Sequence, residues 1–288
     1  MNKLLNRVQD GMAFGWKKNP AVQISSLFDS QIFSQLKPVF FLSTGRCGTM
    51  LFTKLLSHAP HAKVYHEPIP TLSLQAKSAW EINVGNQVEK SDLLRDVFLA
   101  ARELYLYKTA RYGKRYIETN RNITFFAPII KELIPTAQFV HVYRHPADFV
   151  RSGVRRGWYS GEHPHDAGRI TPLPGDPYFE KWSDLSDVQK IAWLWESTNL
   201  FIDDFLGRMD SRQYFKLNFD EMGIDNVSKM VEFLGLIITR QKIDRTIQNQ
   251  INIQKSGNFP TYENWSSADR DALQKICGSR SEKYGLKL

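Results

Sequence analysis

Apolar residues along the chain fall into two kinds of run. Val39–Leu42, Phe139–Tyr143 and Tyr214–Leu217, with the shorter Lys63–His66, are compact apolar stretches of strand length. Runs of this kind belong to strands buried on both faces. Between them the apolar positions recur at helical spacing. Ser91–Tyr112 carries Leu94, Val97, Phe98, Ala101, Leu104 and Tyr105 on one side, and Ala147–Arg156 follows Pro146. Ser183–Leu206 repeats through Val188, Ile191, Trp195 and Ile202, with Ser183 as expected N-cap and Gly207 as stop. Asn226–Leu234, Arg240–Asn249 and Ser266–Tyr284 complete the helices. Strands separated by helices predict the α/β class: a parallel sheet of about four to five strands flanked by helices on both faces. Ligands of such sheets bind at the carboxyl ends of the strands. The stretch from His163 to Tyr178, rich in Pro, Gly, Asp and His, is expected to be a long loop of lid or substrate-contacting type. No repeat and no domain boundary is visible after residue 37, so 37–288 is expected to be one domain, preceded by a helical extension over 1–36.

Composition narrows the classes. The net charge is +8, from 38 basic and 30 acidic residues, which suits an anionic partner or simple solubility. Two cysteines, Cys47 and Cys277, are too few for a disulfide framework. No run of 18 apolar residues occurs, so no membrane-spanning helix is expected. Met1–Pro20 lacks the core of a signal peptide, which favours a cytoplasmic location. Leu4, Leu5, Val8, Met12 and Phe14 with Lys3, Arg7, Lys17 and Lys18 outline a weakly amphipathic basic segment. It is expected to pack on the domain or to touch a membrane surface peripherally.

The densest chemistry follows the first strand. Thr44-Gly45-Arg46-Cys47-Gly48-Thr49 lies between the Val39–Leu42 run and the helix-forming Met50–Leu56. A strand, a glycine-bearing loop and a helix N-terminus make an anion cradle: glycines admit the oxyanion, and the helix's first N–H groups and dipole face it. The loop is P-loop-like, but the G-x-x-x-x-G-K-[ST] of ATP sites is missing, since Gly45 and Gly48 are three apart and no lysine follows. That disfavours a kinase. A cysteine phosphatase needs an arginine six residues after its cysteine, where this chain has Thr53. Cys47 is therefore expected to contribute its backbone N–H. A second element closes the Phe139–Tyr143 strand on Arg144, starts a helix at Pro146 and places Ser152 eight residues after the arginine. A guanidinium there is suited to fork a phosphate; a structural salt bridge is the plainer reading.

Together these elements resemble sulfotransferases of the superfamily that uses 3′-phosphoadenosine-5′-phosphosulfate (PAPS), of the bacterial or tyrosylprotein-like type. Arg46-Cys47-Gly48-Thr49 matches that family's R/K-x-G-T phosphosulfate loop, and Arg144-His145-Pro146 with Ser152 matches its 3′-phosphate element. Phe215–Met222 resembles its late strand and turn. Gln254-Lys255-Ser256 resembles its C-terminal nucleotide-closing loop. The resemblance implies sulfuryl transfer from PAPS to a hydroxyl, without a metal, on a site whose nucleotide ligands are Arg46, Cys47, Gly48, Thr49, Met50, Arg144, Ser152, Lys255 and Ser256. It further implies Glu67, 21 residues after Arg46, as general base, with His66 as the other candidate. Arg46, always charged, would act electrostatically on the leaving phosphate. Glu118 and Asn120 of Tyr116–Asn120 match an acceptor-side segment; capping is the other reading for them. Arg151, Arg155, Arg156, Trp158 and Tyr159 form a basic and aromatic cluster suited to an acceptor or the adenine. The acceptor itself stays open among carbohydrate, lipid, small alcohol and tyrosine. A nucleotide-dependent kinase and a non-catalytic polyanion binder are the alternatives. Nucleic acid is not an expected partner, because the arginines cluster near one site instead of forming a stripe.

Overall fold

The computed structural model describes residues 37–163, 165–248 and 257–288. The proposed N-terminal extension, Lys255 and Ser256 lie outside them. The chain runs β1 (Val39–Leu42), α1 (Thr49–Leu56), β2 (Ala62–His66), α2 (Ser73–Val84), α3 (Ser91–Arg111), β3 (Arg115–Thr119) and α4 (Ala127–Leu133). It continues with β4 (Gln138–Tyr143), α5 (Pro146–Val154), α6 (Asp187–Leu206), β5 (Tyr214–Asn218), α7 (Ile224–Phe233), α8 (Arg240–Gln248) and α9 (Ser267–Lys283). The five strands form one sheet in the order β2-β3-β1-β4-β5, with every pair parallel.

β1 shows why its run is unbroken. Phe40 and Leu42 enter the core on one face, and Val39 and Phe41 enter the core on the other. Side chains alternate faces along a strand, so a strand with two buried faces must be apolar at every position. The first face is covered by α2, α3, α6 and α9 through residues such as Trp80, Phe98, Trp195 and Leu273. The second is covered by α1, α7 and α8 through Phe52, Met230 and Ile243.

Three elements depart from the sequence expectation. β3 was not expected as a strand; it inserts between β1 and β2, and its buried positions include the polar Glu118 and Thr119. α2 was not expected as a helix; it has no side-chain cap and starts at Leu72 in a left-handed conformation. α6 begins three residues later than expected. Ser186 and Gln189 form a reciprocal capping box, Gln189 N–H donating to Ser186 Oγ at 3.3 Å and Ser186 N–H to Gln189 Oε1 at 2.9 Å. Ser183 sits in a separate 3-10 turn, Trp182–Asp184. The S-x-x-Q pattern at Ser186 supplies two bonds where Ser183 would supply one. No helix among the described residues is long and apolar enough to cross a membrane.

Candidate active site

The sheet order fixes the site. The chain leaves β1 toward β2 and β3 on one side, then crosses to β4 and β5 on the other, so β1 is the switch point. The loop after β1 therefore has the carboxyl end of β3 on one flank and that of β4 on the other.

The loop takes a conformation that few residues tolerate. Gly45, Arg46 and Gly48 have φ of 84°, 60° and 74°. Gly48 is needed for space as well as angle, because a Cβ there would lie 2.2 Å from Cε2 of Phe219. Ser43 pins the loop to the segment after β3: its N–H donates to Thr124 Oγ1, and Thr124 Oγ1 donates to its carbonyl, both at 3.1 Å. α1 starts with neither a side-chain cap nor an acidic residue in its first turn. Its N-terminal dipole therefore faces the loop uncompensated by any carboxylate of its own. Cys47 is fully buried, its thiol donates to Gly45 O at 3.1 Å, and burial pushes it up to about 11. A thiol so placed is a poor nucleophile near neutral pH. Thr49 and Met50 occupy the first turn of α1, where Met50 is exposed.

Arg144 follows β4 and reaches the loop from the far flank. Its Nη1 donates to Arg46 O at 3.4 Å across 98 residues of sequence. Arg46 Nε donates to Ser152 Oγ at 3.4 Å across 106 residues, and Arg156 Nη1 donates to the same oxygen at 2.6 Å and to Ser152 O at 2.9 Å. Three guanidiniums thus gather around the loop and Ser152. Their crowding is visible in acidity. Arg46 is lowered by burial and then by Arg144; Arg156 falls to about 10 by burial and then by Arg46 and Arg155. Arg144 is held meanwhile by two carboxylates, Nη2 donating to Asp148 Oδ2 at 3.2 Å and Nε lying 3.4 Å from Asp220 Oδ1. The Nε contact is an ion pair without hydrogen-bond alignment.

Glu67 follows β2 with φ of 44°. Its charge partly opposes the lowering of Arg46 and Arg121 by burial and by neighbouring guanidiniums. His66, the last residue of β2, is tied back into the sheet by Nδ1, 3.0 Å from Thr119 O. That contact makes Nδ1 the protonated nitrogen.

Two expected acceptor contacts are elsewhere. Glu118 is completely buried and paired bidentately with the equally buried Arg102, at 2.8 and 2.9 Å. Asn120 is also buried; it donates to Glu118 Oε1 at 2.9 Å and to Thr71 O at 3.2 Å, and caps the following 3-10 turn. Both are enclosed in a buried polar network with Arg102 and the Thr71 carbonyl. Trp158 is buried as well, with Phe149 on it at 5.5 Å and the Arg169 guanidinium over its ring at 4.0 Å, so its faces are not a stacking platform. The sequence reading missed Arg121 and Arg169. Arg121 stands just past the end of β3, as Arg144 does past β4, and recognising β3 would have found it. No group of three or more metal-binding side chains occurs among the described residues.

Comparison with known proteins agrees with this architecture. Residues 38–240 match the model of a sulfotransferase family. Among solved structures, the chain is similar to the sulfotransferase STF9 from Mycobacterium avium, with a TM-score of 0.52 and 11% identity, covering 92% of this chain and 82% of that one. Mouse sulfotransferase SULT7A1 complexed with PAP gives 0.48 and 11%, over 90% and 91%. A sulfotransferase domain from the curacin biosynthetic pathway gives 0.47 and 13%, over 87% and 98%. No curated protein matches the sequence. With the family match spanning most of the chain and the loop, Arg144 and Ser152 gathered at the switch point of the sheet, this protein belongs to the sulfotransferase family.

Proposed function

We propose that the chain transfers a sulfuryl group from PAPS to a hydroxyl acceptor, with Glu67 as general base. The observation that carries this reading is the meeting of Arg46, Arg144 and Ser152 from segments about a hundred residues apart. Asp148 and Asp220 offset the charge of Arg144, and the remaining positive charge of Arg46 and Arg156 favours an anionic ligand. The residues suit the donor: an uncapped helix N-terminus with Arg46 for the phosphosulfate, and Arg144 with Ser152 for the 3′-phosphate. When bound, PAPS supplies an activated S–O bond whose cleavage leaves adenosine 3′,5′-bisphosphate. Arg46 and the loop amides then stabilise the charge gathering on the leaving phosphate. Glu67 receives the proton of the attacking hydroxyl. It is preferred to His66 because its charge acts on Arg46.

Calorimetry tests the nucleotide half. Adenosine 3′,5′-bisphosphate should bind at least tenfold more tightly than AMP, and equal affinities would refute the 3′-phosphate assignment. For the base, Glu67→Gln should keep nucleotide affinity and lose roughly 10²-fold or more in turnover. Full activity in that variant would remove Glu67 from the role.

A further inference from the structure

Arg121 and Arg169 share a cavity of about 30 Å³ with Ser43, Thr44, Asn122 and Thr198. That space holds about two waters or the oxygens of one small anionic group. Arg169 is buried, at 3% exposure. Its Nε donates to Asp166 Oδ1 at 2.7 Å, and its Nη2 lies 3.4 Å from His163 Nδ1. Its Nη1 is buried with no hydrogen-bond partner, an arrangement that natural structures seldom keep without a ligand or water. Arg121 is half-buried, and among the described residues its guanidinium forms no hydrogen bond and no ion pair. Burial, Arg169 and Arg46 lower it to about 10, against the opposing charge of Glu67. Asp166, the acid paired with Arg169, is committed to Arg169 Nε at 2.7 Å and to the N–H of Gly161 at 3.2 Å. Tyr159 gives its hydroxyl proton to Ile170 O at 2.7 Å. Two cations therefore line one small void, with Asp166 committed to Arg169 and only the charge of Glu67 opposing them at Arg121.

We propose that Arg121 and Arg169 bind an anionic group of the acceptor itself, a carboxylate or a phosphate carried near the hydroxyl that is sulfated. This rests on the sulfuryl-transfer reading above. The acceptor is favoured over the nucleotide by position. Arg121 follows β3, on the Glu67 side of the loop, whereas the 3′-phosphate candidates follow β4 on the other side. An anion here would pair Arg169 Nη1 and relieve the repulsion between the two guanidiniums.

The test uses the full chain saturated with adenosine 3′,5′-bisphosphate and two matched pairs of alcohols: p-cresol with 4-hydroxyphenylacetate, and glycerol with glycerol 3-phosphate. Binding is read from ligand-dependent thermal shifts. The anionic member of one pair should bind tighter by roughly tenfold or more, and which pair responds tells carboxylate from phosphate. Arg121→Gln and Arg169→Gln should abolish the preference. Because Arg169 is packed and paired, Arg121→Gln keeps the test valid if Arg169→Gln fails to fold. Equal binding within both pairs, or an unchanged preference in a folded variant, overturns the proposal. The titrations are repeated without nucleotide, and the nucleotide's own thermal shift is recorded. A chain that ignores the nucleotide yet keeps the Arg121-dependent preference would refute the donor assignment and leave this site standing.

Discussion

Glu118→Gln should destabilise the protein severely although it alters one atom and touches no ligand. In the native state Glu118 Oε1 accepts from Arg102 Nη2 and Asn120 Nδ2, both at 2.9 Å, while Oε2 accepts from Arg102 Nε at 2.8 Å and from the Tyr116 hydroxyl at 2.7 Å. An amide must turn one of those oxygens into a donor facing Arg102. It also leaves a guanidinium whose side chain is 0% exposed without its counter-charge. Breaking one side of a buried pair costs about 3–5 kcal/mol. At roughly 2–4 °C per kcal/mol for a chain of this size, Tm should fall by about 6–20 °C. Arg102→Met combined with Glu118→Leu removes both charges, so it should be more stable than Glu118→Gln by about 1 kcal/mol or more. Urea denaturation with unchanged m-value reads both differences. A Glu118→Gln loss below about 1 kcal/mol, or a double variant no better than the single, would refute the claim that the buried charge dominates. Function should follow stability here. Arg102 Nη1 donates to Pro70 O at 2.8 Å and Asn120 Nδ2 to Thr71 O, tying the chain that follows Glu67 to β3.

Other consequences are directly measurable. Cys47, buried with its thiol pushed up to about 11, should resist iodoacetamide in the native protein at pH 7.5, and Cys47→Ala should keep nucleotide binding; rapid labelling before unfolding would contradict this. His141 is fully buried among Asn199, Asp203, Lys216 and Arg280, and burial lowers it from 6.5 to about 4. The unfolded chain therefore takes up a proton that the native state refuses, so its contribution, present above pH 6.5, is lost as pH falls toward 4, on the order of 3 kcal/mol in all. Melts between pH 7 and 4.5 should show a slope that His141→Gln flattens; parallel profiles would refute the assignment. Asp148→Asn removes a carboxylate 3.2 Å from Arg144 and should tighten binding of adenosine 3′,5′-bisphosphate by a few-fold, on the order of 1 kcal/mol or less for a half-exposed pair; weaker binding would mean that Asp148 orients Arg144.

What the sequence disclosed and what it hid have a common physical origin. β1 and β4 were legible because both of their faces are covered by apolar layers, which forces Val39-Phe40-Phe41-Leu42 and the run at Phe139 to be nearly all apolar. β3 is just as central, yet its Glu118 is satisfied by Arg102 of α3, 16 residues earlier. A partner contributed by another element leaves no local pattern, so the strand read as a polar segment and Glu118 as a substrate contact. The site divides along the same line. Gly45, Gly48, Arg144 and Ser152 are marked by turn geometry and by short-range spacing, and these can be read from a string. Arg121 and Arg169 acquire meaning only once β3 stands beside β1 and the loop containing Asp166 folds back over Ser43 and Thr44. The loop at the switch point then separates two cationic flanks, Arg144 beside β4 and Arg121 beside β3, with Arg46 between them. On the proposed reading the first flank belongs to the donor and the second to the acceptor. A hydroxyl anchored by its own anion at Arg121 would be brought within the influence of Glu67, while the donor's 3′-phosphate stays on the opposite flank. Specificity for the acceptor should accordingly reside in Arg121 and Arg169, and exchanging Arg144 should change nucleotide affinity without changing which alcohol is chosen.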